Sequence, residues 1–255
     1  MAPRSESSGD TPGGVQSVHR ALDVLEVVAA RGGTLTIGEI AALTGIPLPT
    51  AHRLLRTLVD RGYMRQAPDR RYALGFRLVP LGASASSMVG AGTERVLARV
   101  VDALGETANL AMLDGDRVAY VAQVPGRHSM RMFTEVGRRV HPHCTAVGKA
   151  VLSVATEDEV RALLARTGLP RHTSSTITDV EEFLAQLDEV RERGYALDEG
   201  EQEVGVRCLA VRLPGSAVQM GLSISGPAPR MTDELLAEAV PILRSAAQDL
   251  AATIA

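Results

Sequence analysis

The sequence predicts an α+β fold in two parts: an N-terminal winged helix-turn-helix, followed by a larger domain of mixed helices and strands. Two observations carry this prediction. Three short amphipathic helical patterns precede a basic strand–turn–strand pattern within residues 15–75. Beyond residue 92, strand patterns with hairpin-length turns are interspersed with capped helical patterns. The length of 255 residues allows one large domain or two ordinary ones.

The first two helices are predicted from apolar spacing and from their end signals. Residues 15–32 carry apolar side chains at three- and four-residue intervals, with Ser17 as the expected N-cap. The second helix begins after Thr36, which forms a capping-box pattern with Glu39 three residues later, and it ends at Gly45. Successive short helices of this kind are typical of helix-turn-helix domains.

The third helix and the hairpin after it supply the candidate nucleic-acid contacts. The helix is predicted over 49–61, where a proline suits the first turn and apolar side chains occupy one face. Strands are predicted over 63–66 and 71–74, around a basic turn. The polar positions expected to face a nucleic acid are Thr50, His52, Arg53, Arg56 and Thr57 on the helix, with Arg70 and Arg71 at the turn.

Residues 76–92 predict a connecting helix, and residues 93–255 a second domain. Its predicted helices are 93–104 capped by Thr93, 145–154, 157–166 capped by Thr156, 179–193 capped by Thr178, and a last helix from Thr232 that Pro241 kinks. Its predicted strands are 108–113, 117–124, 130–135, 195–197, 205–213 and 218–224. Helices and strands mixed in this order indicate an α+β domain.

Charge is distributed unevenly along the chain. The formal net charge is −3, which taken alone argues against a nucleic-acid partner. Residues 1–75 nevertheless hold nine arginines against seven acidic residues, which leaves a net −5 for the remainder. Within residues 48–75, six arginines stand against two acidic residues. Phosphate recognition depends on such a local excess, so the clustering indicates a nucleic-acid interface in this stretch.

The third predicted helix can enter a major groove and present its N-terminal side chains to base edges. Arginine contacts either guanine or phosphate, and the residue type does not decide between the two. The alternative interpretation is a small helical domain that binds protein, with arginines that only solvate its surface. The combination of a glycine turn, a proline-started helix and a basic hairpin favours DNA.

Composition excludes several other classes of protein. Residues 1–14 are predicted to be a disordered polar tail, because they lack the apolar segment of a signal peptide. No apolar run approaches the roughly 18 residues that a membrane span needs. The two cysteines, Cys144 and Cys208, cannot form a disulfide framework, which fits a cytoplasmic protein.

The second domain offers polar residues at a helix start and within apolar strands. Residues 145–149 begin a helix, where free backbone N–H groups favour an anion. Asp198 follows a strand, Cys208 lies inside one, and Ser223 and Ser225 share one face of another because strand side chains alternate. Converging hydroxyl groups and N–H groups would suit a small carboxylate, aldehyde or amide.

Several stretches of the chain occur in an order that is typical of one known family. They are 15–22 (VQSVHRAL), 37–41 (IGEIA), 44–47 (TGIP), 50–55 (TAHRLL), 72–75 (YALG), 148–150 (GKA), 194–201 (GYALDEGE) and 223–227 (SISGP). On these motifs the chain resembles IclR-type bacterial transcription regulators over nearly all of residues 15–252. The motifs indicate the family and do not identify a member.

This resemblance implies a DNA-binding winged helix-turn-helix and a GAF-like effector-binding and oligomerisation domain with a curved antiparallel sheet. It implies dimers joined through the DNA-binding domains and often paired into tetramers, which bind palindromic or pseudo-palindromic double-stranded DNA. It also implies an effector pocket, with N–H groups from Ala146 and Val147. The other positions that match this pocket are Met132, Thr145, Asp198, Val206, Cys208, Ser223 and Ser225. Similar sequences commonly carry a small residue at position 147, which predicts a tighter pocket floor here.

The function expected from this resemblance is a repressor of a catabolic operon that a small metabolite releases from its operator, or an activator of the same family. A small carboxylate, oxo-acid or ureide, such as a glyoxylate- or ureide-like metabolite of an allantoin or glyoxylate pathway, is the first choice of effector. An aromatic acid or a glycerol-derived compound, as in a glycerol pathway, comes second. No cofactor is expected. Lys149, the only lysine, is expected to point to solvent or to pair with a carboxylate.

Three other functions compete with this interpretation. Cys144 and Cys208 could form a thiol redox switch. His141, His143 and Cys144 could bind a metal, although their spacing matches no common zinc pattern, and no metal site is predicted. An enzyme is disfavoured because the sequence has no GxSxG, HExxH or phosphate-loop motif.

Overall fold

A computed structural model describes residues 14–87, 92–132, 134–215 and 218–254 of the chain. The molecule consists of two compact units, and the boundary between them falls between Ala85 and Ser86. The predicted tail and residues 88–91 of the predicted connecting helix lie outside the described residues. Within the described ranges, no helix is both long and apolar enough to cross a membrane.

The first unit is a winged helix-turn-helix. Its elements are α1 (Gln16–Ala30), β1 (Thr34–Leu35), α2 (Ile37–Thr44), α3 (Leu48–Asp60), β2 (Met64–Gln66) and β3 (Tyr72–Leu74), and α4 (Leu78–Ser87) begins at its end. The strands form an antiparallel sheet in the order β1-β3-β2. Val24, Ile40 and Leu55 from the three helices are fully buried in one core. The amphipathic spacing of the sequence therefore places all three helices around a shared apolar centre.

The predicted capping residues of the first unit are confirmed at α2 and wrong at the start of α1. Thr36 and Glu39 form the predicted capping box, in which each side chain bonds the other residue's backbone N–H, and α2 ends at Gly45 in the left-handed conformation. The prediction of Ser17 as an N-cap is wrong, because α1 begins one residue after Val15, whose side chain makes no capping bond.

The second unit is built on a six-stranded antiparallel sheet in the order β6-β5-β4-β9-β8-β7. The strands are β4 (Thr107–Asp114), β5 (Arg117–Val124), β6 (Arg139–Val140), β7 (Ala196–Glu199), β8 (Val206–Arg212) and β9 (Met220–Pro227). The helices are α5 (Thr93–Leu104), α6 (Ala146–Leu152), α7 (Glu157–Thr167), α8 (Val180–Arg193) and α9 (Asp233–Ile254), with a single 3-10 turn over Pro142–Cys144.

Alternating side chains of the sheet serve two different apolar clusters. Leu209 and Leu222 pack with α5 and α9, whereas Ala210 and Ala111 pack with α6. Because successive strand residues point to opposite faces, α5 and α9 cover one face of the sheet and α6 covers the other. Polar residues on the α6 face therefore point toward the start of that helix.

Three local predictions in the second unit are wrong. Of the strand predicted over 130–135, the described residues 130–132, 134 and 135 are not in a strand; instead the two-residue strand β6 pairs with β5 at the edge of the sheet. Thr93 is the first residue of α5, and its N-cap is Gly92. The cap of α8 is Asp179, whose carboxylate accepts two backbone N–H bonds, and not Thr178.

Candidate functional site

Helix α3 presents a polar, basic face opposite its buried face. Ala51, Leu55 and Leu58 are buried in the core of the first unit, which fixes the rotation of the helix. The predicted contacts that this rotation leaves exposed are His52, Arg53, Arg56 and Thr57, while Thr50 is half-buried. A rigid helix with arginines on its open face has the form and charge that a DNA groove accepts.

The two predicted wing arginines have different environments. Arg70 is exposed at the turn and adopts the left-handed region, with φ of 63°. Arg71 is half-buried, and its Nη2 atom lies 3.2 Å from Oε2 of Glu39. Bonds from Thr36 and this guanidinium hold the pKa of the Glu39 carboxyl below its usual value. Arg71 thus ties the wing to the start of α2, and Arg70 is the one of the two that is open to solvent.

The second unit contains a cavity of about 50 Å³ on the α6 side of the sheet. All nine residues predicted for the effector pocket line it: Met132, Thr145, Ala146, Val147, Asp198, Val206, Cys208, Ser223 and Ser225. Six further residues, which no sequence pattern indicates, line the cavity: Tyr120, Thr134, Arg138, Val140, Gln202 and Glu203. The structure therefore gathers the whole predicted set into one small chamber.

The pairing register of β7, β8 and β9 places polar side chains side by side along one wall of this cavity. Asp198 on β7 stands opposite Cys208 on β8, and Cys208 stands opposite Ser225 on β9. These three side chains form a row across neighbouring strands, and Ser223 lies two residues from Ser225 on the same face. Asn109 on β4 extends the row, since its amide donates to Oγ of Ser225 over 3.4 Å.

The first turn of α6 forms the opposite wall. Thr145 caps the helix by accepting the N–H of Gly148. The N–H groups of Ala146 and Val147 have no intrahelical carbonyl to bond, because both residues lie in the first turn. Close approach to the sheet requires Gly221 on β9, because a Cβ there would lie 2.8 Å from a Val147 methyl group. The larger side chain at position 147 is thus accommodated by a glycine that faces it.

A buried charge network supports the loop after β7. Lys149 on α6 is fully buried, and its ammonium group donates to the Glu201 carboxylate and to the carbonyl of Leu197. The backbone N–H of Glu201 donates to Oδ1 of Asp198 over 2.7 Å. The expectation that Lys149 would point to solvent is wrong, whereas the expected pairing with a carboxylate is confirmed. Lys149 thereby holds the segment that carries Asp198 and Gln202.

Asp198 combines deep burial with an unusual protonation equilibrium. Burial, with the nearby Glu201 charge, raises the pKa of its carboxyl to about 7, although N–H groups of Glu201 and Gln202 oppose the shift. Near neutral pH the group is therefore divided between its acid and carboxylate forms. The acid form can donate a hydrogen bond to an anion in the cavity, and the carboxylate would repel one.

Asp198→Asn is expected to reduce the pH dependence of stability. The folded-state pKa of Asp198 is about 7 against an ordinary 3.8, so the folded protein binds more protons between these values. Stability from this group is complete below pH 3.8 and is lost as the pH rises toward 7. Thermal unfolding across this pH range should show that the stability of the variant increases relative to that of the wild type as the pH rises. A constant difference between the two proteins would refute the assignment.

The cysteines and histidines do not have the environment of a reactive centre. Burial raises the pKa of Cys144 to about 12 and raises that of Cys208 as well, so both thiols stay protonated. Reactive thiols have lowered pKa values, which argues against the redox switch. Burial lowers the pKa of His141 and His143 to about 4, and both rings pack near His172. In the described part of the chain, no group of three metal-ligating side chains is arranged to hold an ion.

Comparison with known proteins gives a consistent result for both units. The IclR helix-turn-helix domain family matches residues 17–68, and the bacterial transcriptional regulator IclR C-terminal family matches residues 84–252. The transcriptional repressor IclR of Escherichia coli is 34% identical, over 93% of this chain and 89% of its own length. The regulator KdgR of the same organism is 36% identical, over 92% of each chain.

A solved structure extends the similarity to three dimensions. The IclR transcriptional regulator from Alicyclobacillus acidocaldarius superposes with a TM-score of 0.75 at 33% identity, covering 95% of this chain and all of its own. The similarity therefore spans both units, with the helix-turn-helix and the antiparallel sheet in the same order along the chain.

Proposed function

The chain belongs to the IclR family of bacterial transcriptional regulators, and from this premise we propose that it represses a catabolic operon until a small metabolite enters its cavity. The observation that carries the proposal is the cavity with its polar wall, which collects nine residues from five separate stretches of sequence beside a capped helix start. A DNA-binding regulator with such a chamber has the two sites that ligand control requires.

The first unit supplies the operator contacts in this proposal, over residues 15–75. Arg53 and Arg56, with His52 and Thr57, enter the major groove on α3, and Arg70 contacts the backbone from the wing. Residues 76–92 link this part to an effector-binding and oligomerisation part over residues 93–255. A homodimer, alone or paired into a tetramer, places two recognition helices on the half-sites of a palindromic or pseudo-palindromic operator.

The cavity favours a small, polar effector. Its volume of about 50 Å³ holds a compact molecule, since one water occupies roughly 10–15 Å³ on the same measure. Ser223 and Ser225 offer hydroxyl groups, and the start of α6 offers N–H groups to a carboxylate. A small carboxylate, oxo-acid or ureide therefore fits better than an aromatic acid.

Control follows from differential affinity. An effector that binds more tightly to the DNA-free arrangement than to the operator-bound one shifts the population toward release, by no more than that difference in affinity. Typical coupling of about 1–3 kcal/mol corresponds to a loss of operator affinity of roughly 5- to 150-fold.

The double variant Ser223→Ala/Ser225→Ala is expected to keep operator affinity and lose the response to effector. Binding to DNA from upstream of the protein's own gene is measured with and without glyoxylate, pyruvate or allantoin. Thermal shift reports ligand binding separately, because a ligand of the folded state raises apparent stability. Ser174→Ala, at an exposed site, is the matched control. If the double variant still responds to an effector that acts on the wild type, the effector site lies elsewhere.

A further inference from the structure

Arg138 lies at the exposed rim of the cavity. Among the residues that line the cavity, Ser223, Ser225 and Asp198 are buried, whereas Arg138 and Glu203 are exposed. The chamber thus has a buried inner end, with the hydroxyl groups, and an open rim that carries charge. Among the described residues that line the cavity, Arg138 is the only one with a cationic side chain.

Adjacent arginines in the sequence have different roles here. Arg139 is engaged on the surface: its guanidinium donates to the backbone oxygen of Asp114 over 2.8 Å and pairs with the Asp114 carboxylate at 3.1 Å. Within the described ranges, Arg138 has no carboxylate within 4.0 Å and donates no side-chain hydrogen bond. Its backbone carbonyl accepts the N–H of Tyr120 over 3.1 Å, and its positive charge opposes the rise that burial causes in the pKa of Tyr120.

We propose that Arg138 determines effector specificity by binding a second acidic group, so that the preferred effector is a short dicarboxylate or oxo-diacid. This inference rests on the proposed function of the cavity. One carboxylate occupies the inner end, between the hydroxyl groups and the start of α6. The other reaches the rim, where the planar guanidinium matches a carboxylate with two parallel hydrogen bonds.

The other charges of the lining make this arginine decisive. Asp198 at the inner end and Glu203 at the rim are both acidic, so without Arg138 the cavity would repel a dianion. A monoacid has no second carboxylate to bind the guanidinium of Arg138, which then stays hydrated and adds nothing to the affinity. The difference between a diacid and a monoacid of equal carbon skeleton therefore isolates the contribution of Arg138.

The test compares matched acids by calorimetry on the full-length protein: malonate with propionate, succinate with butyrate, and oxaloacetate with 2-oxobutyrate. In the wild type, at least one diacid should bind about tenfold more tightly than its partner, as a partly exposed charge-assisted pair provides. Arg138→Gln should abolish the preference, Arg138→Lys should retain part of it, and Glu203→Gln should increase it. Arg139→Gln, a neighbour of the same charge, should leave it unchanged.

Two results would overturn the inference. One is a wild type that binds no diacid more tightly than the matching monoacid, and the other is a preference that survives in Arg138→Gln. Neither result bears on the cavity as an effector site, because Ser223→Ala/Ser225→Ala tests that separately. Monoacid binding that is lost in the double serine variant and kept in Arg138→Gln would leave the proposed function intact while removing the specificity role.

Discussion

Lys149→Met is expected to destabilise the second unit by about 3–5 kcal/mol, the usual cost of removing one partner from a buried ion pair. Lys149 is fully buried and Glu201 is 4% exposed, so the carboxylate left behind would have neither a cation nor water. Oε2 of Glu201 is already buried without a hydrogen-bond partner among the described residues. Denaturant unfolding measures the loss, which amounts to a large part of the stability of an ordinary domain.

The double variant Lys149→Met/Glu201→Leu should recover most of this stability. Replacing both partners of a buried pair by apolar side chains of similar volume is often neutral, because neither charge then has to be desolvated. Arg161→Met is the surface control: it removes exposed pairs with Glu157 and Glu181 and should cost about 1 kcal/mol or less. A single Lys149→Met variant as stable as the wild type would show that the pair does not hold the loop after β7.

Stability and response can be separated in that double variant. Glu201 and Gln202 donate backbone N–H groups to Asp198, so the loop that Lys149 holds also sets the cavity wall. Apolar side chains can fill the space, but they cannot replace the hydrogen bonds that tie α6 to the carbonyl of Leu197 on β7 and to residue 201 in the following loop. We therefore expect the double variant to fold and to bind operator DNA, but to respond weakly to effector.

Local signals account for what the sequence predicts well about the fold. The capping boxes at Thr36 and Thr156 are formed within single turns, so no distant residue is needed to specify them. The strand predicted over 130–135 is wrong for the opposite reason. Its composition suits a strand, but β5 pairs along its edge with residues 139–140 instead. Strand pairing is decided between segments and cannot be derived from one of them.

The residues of the site also fall into those that sequence signals predict and those that depend on contacts between distant segments. Strand periodicity places Ser223 and Ser225 on one face, and the family resemblance implies the other seven predicted lining residues. Arg138 was missed because it lies just outside a two-residue edge strand, where no periodic pattern marks it. Lys149 finds its partner 52 residues later in the chain, and only the folded sheet brings Glu201 beneath α6.

Arg53→Ala is expected to remove sequence-specific operator binding while leaving ligand binding and stability unchanged. Arg53 is exposed near the start of α3, on the face opposite Ala51 and Leu55, so its removal leaves no cavity in the core. If its guanidinium makes two hydrogen bonds to a guanine, the substitution costs each recognition helix about 1–3 kcal/mol of discrimination against the wrong base. In the proposed homodimer, two helices on two half-sites double that loss and bring specific affinity toward the non-specific level.

Salt dependence separates this role from a phosphate contact. A base-reading arginine changes the preference at one operator position, whereas loss of a phosphate contact weakens all sequences alike and lowers the salt slope by about 1. Arg61→Ala is the matched control, because Arg61 is exposed at the opposite end of the same helix. Equal losses for Arg53→Ala and Arg61→Ala would mean that α3 contributes charge only. A loss confined to Arg53, with an unchanged salt slope, would place the N-terminal turn of α3 against base edges.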